Sequence, residues 1–290
     1  MVINAYCTAC LRDKWLNSIP AQADPATRAA FRQRVLAIVD EGVRMSSPEK
    51  DYLLNEAYAD AFGPKQDYAA IKRHFNALML ELEPAMLRGI DDADDPLRRV
   101  IQYAMTGNFI DFAAMDSVDE ATLARLIDES DRIEIDDGLL DGFRTELSRA
   151  RRLTCIADNC GELVMDKVLM KTIGRLNPAL EITAVVKGGP IVNDATREDA
   201  GQVRLDEAAH HIVDTGCPIA GVPEGRISEA CRRALYDADV LISKGQANYE
   251  TLCGCGLNLY YIFMCKCRLF TDRFNVPLYS GIITRERENR

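Results

Sequence analysis

Three short segments hold the residues best suited to chemistry: Asp158-Asn159-Cys160-Gly161-Glu162, Lys187-Gly188-Gly189-Pro190-Ile191-Val192-Asn193-Asp194, and Ser243-Lys244-Gly245-Gln246-Ala247-Asn248. Asp158 and Asn159 place a carboxylate beside an amide oxygen, and Asp194 can add a second carboxylate. Oxygen sets of this kind suit a hard divalent cation, Mg²⁺ or Mn²⁺, and also admit Co²⁺ or Ni²⁺. Three protein oxygens leave coordination positions for water and a phosphoryl oxygen, as Lewis-acid hydrolysis of a phosphate ester requires. Lys244, just ahead of Gly245, offers an ammonium with nearby backbone amides for other phosphate oxygens. Each motif also has a purely structural explanation. Asp and Asn are the commonest helix caps, and either Asp194 or Thr196 can open the helix that follows. Lys244 can be a solvated lysine at a strand end, and Gly188-Gly189 an ordinary turn.

The elements that must position these segments are short apolar runs: Leu153 to Ala157, Ile182 to Val186, Val240 to Ser243, Tyr260 to Met264, and Pro277 to Ile283. Helical stretches alternate with them at Gly161 to Leu176, Glu198 to Thr215 and Ser228 to Ala238, which predicts a mostly parallel sheet flanked by helices. Ligands of such sheets sit beyond the carboxyl ends of the strands, where all three segments fall. Before residue 150 the spacing is helical, over Pro25 to Val43, Pro48 to Phe62, Tyr68 to Gly89 and Pro96 to Met105. The expected fold is therefore α plus α/β: a helical-bundle domain over 1–150, then a three-layer α/β/α domain over 151–290 that binds metal and phosphate.

Composition narrows the partners. With 35 basic and 45 acidic residues the formal charge is −10, which gives no basis for gripping a nucleic acid through counterion release. A small phosphorylated substrate stays compatible, because a bound cation and one or two lysines invert the local field. No apolar run approaches a membrane span, and Met1 to Trp15 carries charges and cysteines, so a cytoplasmic chain away from membranes is expected. The sequence does not determine an oligomeric state.

Taken together, the three segments resemble the DUF89 family of metal-dependent damage-control phosphatases, especially its shorter bacterial and archaeal branch. The resemblance extends through Asp166-Lys167, Ala195-Thr196, Glu198-Asp199-Ala200 and Tyr249-Glu250, and to Cys7-Thr8-Ala9-Cys10 and Gly107-Asn108-Phe109-Ile110-Asp111-Phe112 near the start and end of the helical half. It implies a metal site of Asp158, Asn159 and Asp194, and Lys244 as a phosphate ligand, with Gly245 and Asn193 beside it. It also implies that Asn108 and Asp111 approach from the helical side, to touch substrate or to fix the domain junction. Glu162 is then a partner of the metal ligands or a catalytic carboxylate. The implied substrates are small phosphomonoesters, such as sugar phosphates or damaged metabolites. The nucleophile is a water or the Asp158 carboxylate.

Rival functions are a non-catalytic module that binds phosphometabolite or metal, and a carboxyl methyltransferase, although no glycine-rich loop suits the latter's cofactor. Among ten cysteines, Cys7/Cys10, Cys253/Cys255 and Cys265/Cys267 form close pairs. Zinc binding, redox chemistry and plain buried thiols are all compatible with those spacings. His74, His210 and His211 have no ligand spacing and carry no expected role.

Overall fold

The protein is described here from a computed structural model covering residues 4–40, 45–109 and 120–286. Helices fill the first half: α1 (Ala5–Asn17), α2 (Pro25–Asp40), α3 (Ser47–Phe62), α4 (Ala69–Asp91), α5 (Pro96–Phe109), α6 (Glu120–Asp128) and α7 (Asp137–Arg149). Their starts are written in the sequence. Asn4 accepts from the Cys7 amide, Ser46 and Glu49 form a capping box, and Asp136 accepts from the Leu139 amide.

Beyond residue 150 follow β1 (Arg152–Ile156), α8 (Glu162–Leu176), β2 (Glu181–Val186), α9 (Arg197–Gln202), β3 (His211–Asp214), α10 (Glu229–Tyr236), β4 (Val240–Lys244), α11 (Gln246–Leu252), β5 (Leu259–Met264), α12 (Arg268–Phe274) and β6 (Gly281–Arg285). The strands form one sheet in the order β3-β2-β1-β4-β5-β6, with only the β5–β6 pairing antiparallel. The order reverses between β1 and β4, and the space beyond the carboxyl ends at such a reversal is the usual ligand position in these sheets.

Alternating side chains build the layers. Leu153 and Cys155 of β1, with Tyr260 and Ile262 of β5, join the core under α8, α4 and α5. Ile156, Tyr261 and Phe263 face the other way, into the core that includes Leu235, Leu252 and Phe270 of α10, α11 and α12. Buried on both faces, these strands read as continuous apolar runs, and each fully buried aliphatic side chain contributes roughly 1.5–3 kcal/mol. A separate cluster around Trp15, Phe31, Val35 and Leu54 holds α1, α2 and α3 together, whereas α4, α5 and α7 share the core of the sheet.

Two expectations need correction. The helix foreseen over Glu198 to Thr215 is a short α9, a 3-10 turn at Leu205–Glu207 and the edge strand β3. Arg204 adopts φ +52°, which ends the helical path, and the His210 amide bonds to the Ile182 carbonyl to start pairing with β2. Half-exposed, β3 lacks the apolar run that marks a buried strand. The last strand is Gly281–Arg285, not Pro277 to Ile283, because Asn275 and Tyr279 take φ of +51° and +66° and turn the chain.

Candidate metal and phosphate site

Asp158 and Asn159 follow β1 directly, and the loop after β2 folds back to meet them. The Asp158 carbonyl accepts from the Ala195 amide at 2.8 Å, the Asn193 carbonyl from the Cys160 amide at 2.8 Å, and Asn159 and Asp194 bridge antiparallel. A tight turn produces this return: the Asp194 amide bonds to the Ile191 carbonyl at 3.0 Å, with Val192 at φ +43°. That conformation is strained for a β-branched residue. Gly188 fits where a Cβ would lie 2.3 Å from the Cys217 backbone nitrogen, so this glycine is required by close approach.

The carboxylates are deeply placed, with Asp158 8%, Asp194 7%, Glu162 0% and Asp166 0% exposed. Asn108, from α5, donates to Asp158 Oδ2 at 3.0 Å and Glu162 Oε2 at 3.1 Å while its Oδ1 accepts from the Met264 amide at 2.8 Å. It thereby ties the helical half to β5 and to the site at once. Asn159 donates to Asp158 Oδ2 at 2.8 Å and Glu162 Oε2 at 3.2 Å. From α4, Asn76 accepts from the Gly161 amide at 2.6 Å and donates to Asp199 Oδ1 at 2.9 Å, and Lys72 pairs with Asp199 at 2.6 Å. Asp199 in turn closes the capping box of α9 with Thr196.

Lys244 is not a solvated lysine at a strand end. Its ammonium is wholly buried on Glu162 and on Asp166, the latter at 2.8 Å. Burial alone would depress this lysine, but Asp166 and Glu162 outweigh it and hold the pKa well above the ordinary value. One ammonium cannot neutralise two buried carboxylates, and burial pushes Asp166 up to about 7 against the pull of Lys244. The Gly245 amide is also committed, to the Ile262 carbonyl at 3.1 Å. What Gly245 supplies is space: a Cβ there would lie 2.0 Å from Asp158 Oδ2, and its φ is +81°.

The sequence-derived residues thus divide. Asp158, Asn159, Glu162, Asn108 and Lys244 form one hydrogen-bonded network, Asn193 and Asp194 join it through the bridge, and Gly245 packs against it. Asp111 lies outside the described residues. Unforeseen were Asn76, Lys72 and Lys266, and Lys187 and Asn248 stood in the quoted segments without a role. Lys187, 1% exposed at the end of β2, donates to Asn248 Oδ1 at 2.8 Å and stands 3.9 Å from Asp194 Oδ2. Lys266, half-buried in the loop after β5, acts on the Asp158 carboxylate, and its amide bonds to Gln246 Oε1 at 3.2 Å. Both lysines follow apolar runs just as Lys244 does, a signal the sequence did contain.

Chemically, the arrangement suits a cation of the hard oxygen class. Burial, then the neighbouring Glu162, raises Asp158 to about 6 against Lys187, Lys266 and the Asn108 bond; burial raises Asp194 to about 7. Asp194 Oδ2 and Asn193 Nδ2 are buried yet make no hydrogen bond among the described residues. Such an oxygen beside a second carboxylate and an amide is a donor set that a hard cation would suit. Among the described residues no three His, Cys, Asp or Glu side chains converge on a metal, so the fit rests on two carboxylates with the Asn159 amide, and the paired cysteines assemble no such cluster. Surface clefts of about 400 and 250 Å³ open at the other ends of the strands, near Tyr260 and Arg285 and near Arg152 and Glu181. Neither borders these carboxylates. No described helix is long and apolar enough to cross a membrane.

Comparison with known proteins bears on the whole chain. A family model described as "Damage-control phosphatase ARMT1-like domain" matches residues 3–282. The chain is 30% identical to an uncharacterised protein of Methanocaldococcus jannaschii over 226 residues, 74% of this chain and 72% of that one. It is 28% identical to a damage-control phosphatase of Archaeoglobus fulgidus over 215 residues, 72% of each. A damage-control phosphatase of Pyrococcus horikoshii is 33% identical over 180 residues, 61% of each. The crystal structure of a DUF89 family protein from Pyrococcus horikoshii superposes with a TM-score of 0.82 at 23% identity and covers 100% of both chains, a likeness of fold.

Proposed function

The chain belongs to the damage-control phosphatase ARMT1-like domain family and is a phosphatase; we propose that it hydrolyses small phosphomonoesters, such as sugar phosphates or damaged phosphometabolites, at a divalent-cation site of Asp158, Asn159 and Asp194. The observation that carries this reading is the buried Asp194 Oδ2, without a hydrogen bond among the described residues and held beside Asp158 and Asn159 by the strained turn at Val192. Mg²⁺, Mn²⁺, Co²⁺ or Ni²⁺ bound there supplies Lewis-acid polarisation of the phosphoryl group.

The chain's own residues do the remaining work. Lys266, half-buried in the loop after β5 and near enough for its charge to act on Asp158, is assigned the role of phosphate ligand that the resemblance implied for Lys244. Lys244, with no exposed surface, acts as the counter-charge that lets Glu162 and Asp166 lie beneath the ligands. Asn193 Nδ2, a buried donor without an acceptor among the described residues, is suited to a phosphoryl oxygen, and it needs no reorganisation as charge develops. Asn108 positions Asp158 and Glu162 instead of meeting substrate.

The test is phosphate release from p-nitrophenyl phosphate and a panel of sugar phosphates by metal-stripped protein resupplied with each cation. Release that requires a cation and disappears in Asp194→Ala supports the site. Wild-type protein that releases no phosphate with any of the four cations refutes it.

A further inference from the structure

Lys187 has an ammonium deep inside the site and yet, among the described residues, no carboxylate within hydrogen-bonding reach. Charge-assisted lysine–carboxylate bonds close to about 2.8 Å, whereas the nearest Asp194 oxygen here is 3.9 Å away. Neutral acceptors set that distance: Asn248 Oδ1 at 2.8 Å, and the carbonyls of Ala157 and Gly221, both at 3.4 Å. Asn248 is itself fixed, because its Nδ2 donates to the Ala157 carbonyl at 3.1 Å and to the Lys244 carbonyl at 2.6 Å. The ammonium is thus fastened to the ends of β1 and β4 and to the Gly221 loop, and stands back from Asp194. The oxygen it faces is Asp194 Oδ2, which makes no hydrogen bond among the described residues.

We propose that Lys187 is a positioning residue that serves as the internal counter-cation of the metal site. Its fixed charge keeps Asp158 and Asp194 together when no metal is bound, and its stand-off leaves Asp194 Oδ2 open for the metal. The inference rests on the cation site proposed above and adds a residue that touches neither metal nor substrate. Lys244 is committed to Glu162 and Asp166, and Lys72 is bonded to Asp199.

The consequence distinguishes this role from that of a strut. A divalent cation entering between Asp158 and Asp194 is repelled by the ammonium, so deleting the charge strengthens metal binding while it weakens the metal-free protein. Loss of a mere structural contact loosens the site and weakens both. For charges a few ångströms apart in a partly buried site, the gain in affinity is on the order of tenfold or more.

The experiment is calorimetric titration of Mn²⁺ into metal-stripped wild type, Lys187→Met and Lys187→Gln, with melting curves at zero and saturating Mn²⁺ and Asp194→Ala as control. Both variants are expected to melt lower without metal, to bind Mn²⁺ about tenfold more tightly, and to recover most of the lost melting temperature when saturated. If Lys187→Met folds only on addition of Mn²⁺, the inference holds equally. Unchanged or weaker Mn²⁺ binding in both variants overturns it, as does failure of both to fold at any Mn²⁺ concentration. Absence of Mn²⁺ binding in the wild type defeats the cation site itself and this inference with it.

Discussion

Lys244→Met separates two placements of positive charge that the sequence alone could not tell apart. Methionine keeps most of the length and removes the ammonium from two carboxylates that have no exposed surface, Glu162 and Asp166. Removing one partner of a buried ion pair costs about 3–5 kcal/mol, much of a domain's net stability. At roughly 2–4 °C per kcal/mol for a chain of this size, melting falls by on the order of 10 °C. The pH dependence has a definite sign. Burial raises the folded-state Asp166 to about 7, far above the value of an unfolded aspartate, so its contribution is present at low pH and is lost as pH rises through about 7. In the wild type Lys244 limits that loss; in Lys244→Met nothing does, so the deficit against wild type widens above about pH 7 and narrows below it. Melting curves from pH 5 to pH 9 measure this. In the companion Lys266→Met, at a half-buried loop position, turnover falls by about 100-fold through lost charge stabilisation. Lys244→Met with wild-type melting and abolished turnover would refute the assignment and return Lys244 to the phosphate.

Other expectations are more local. Asp158→Ala and Asp194→Ala each remove an oxygen of the proposed cation site, so metal affinity and turnover both fall, turnover by about 1,000-fold, as read by calorimetry and phosphate release. Asp158 and Asp194 are raised to about 6 and 7 by burial, so the metal-free protein loses stability as pH rises through that range, and a saturating cation removes the loss; melting curves without a pH slope in the metal-free protein contradict this. Val192→Gly relaxes a residue at φ +43° and stabilises the fold by roughly 1 kcal/mol, yet frees the turn that aims Asp194 and weakens cation binding. Asn108→Leu leaves buried groups on Asp158, Glu162 and the Met264 amide without a partner, at about 1–3 kcal/mol each, and raises the pH needed for metal binding because the Asn108 bond holds Asp158 down.

Legibility followed burial. β1, β2, β4 and β5 are covered on both faces and read as apolar runs, and the residues just past three of them are the ones that meet in the site. β3 is an edge strand of mixed exposure whose existence depends on pairing with β2, a long-range fact invisible in a local window. The charged residues were harder for a related reason. A lysine after a strand reads identically whether its ammonium ends in solvent, on a phosphate or between buried carboxylates, and Lys187, Lys244 and Lys266 meet three different surroundings.

The helical half shows why such a site resists local reading. Lys72, Asn76, Met79, Glu83 and Met86 fall on one buried face of α4, so the face turned to the core carries a cation, an amide and a carboxylate among methionines. By composition it looks like an imperfect amphipathic stripe. Each polar member answers a group more than 80 residues away: Lys72 meets Asp199, Asn76 the Gly161 amide, and Glu83 Lys167 at 3.1 Å. Unmatched, each would impose a desolvation cost, which is why they stand in register with the loops they serve. Asn76 bears most directly on function, since it orients the amide between Asn159 and Glu162. Polar residues interrupting an apolar helical stripe at three- and four-residue spacing are therefore the sequence mark of a helix that braces a site on another layer, and α5 with Asn108 obeys the same logic.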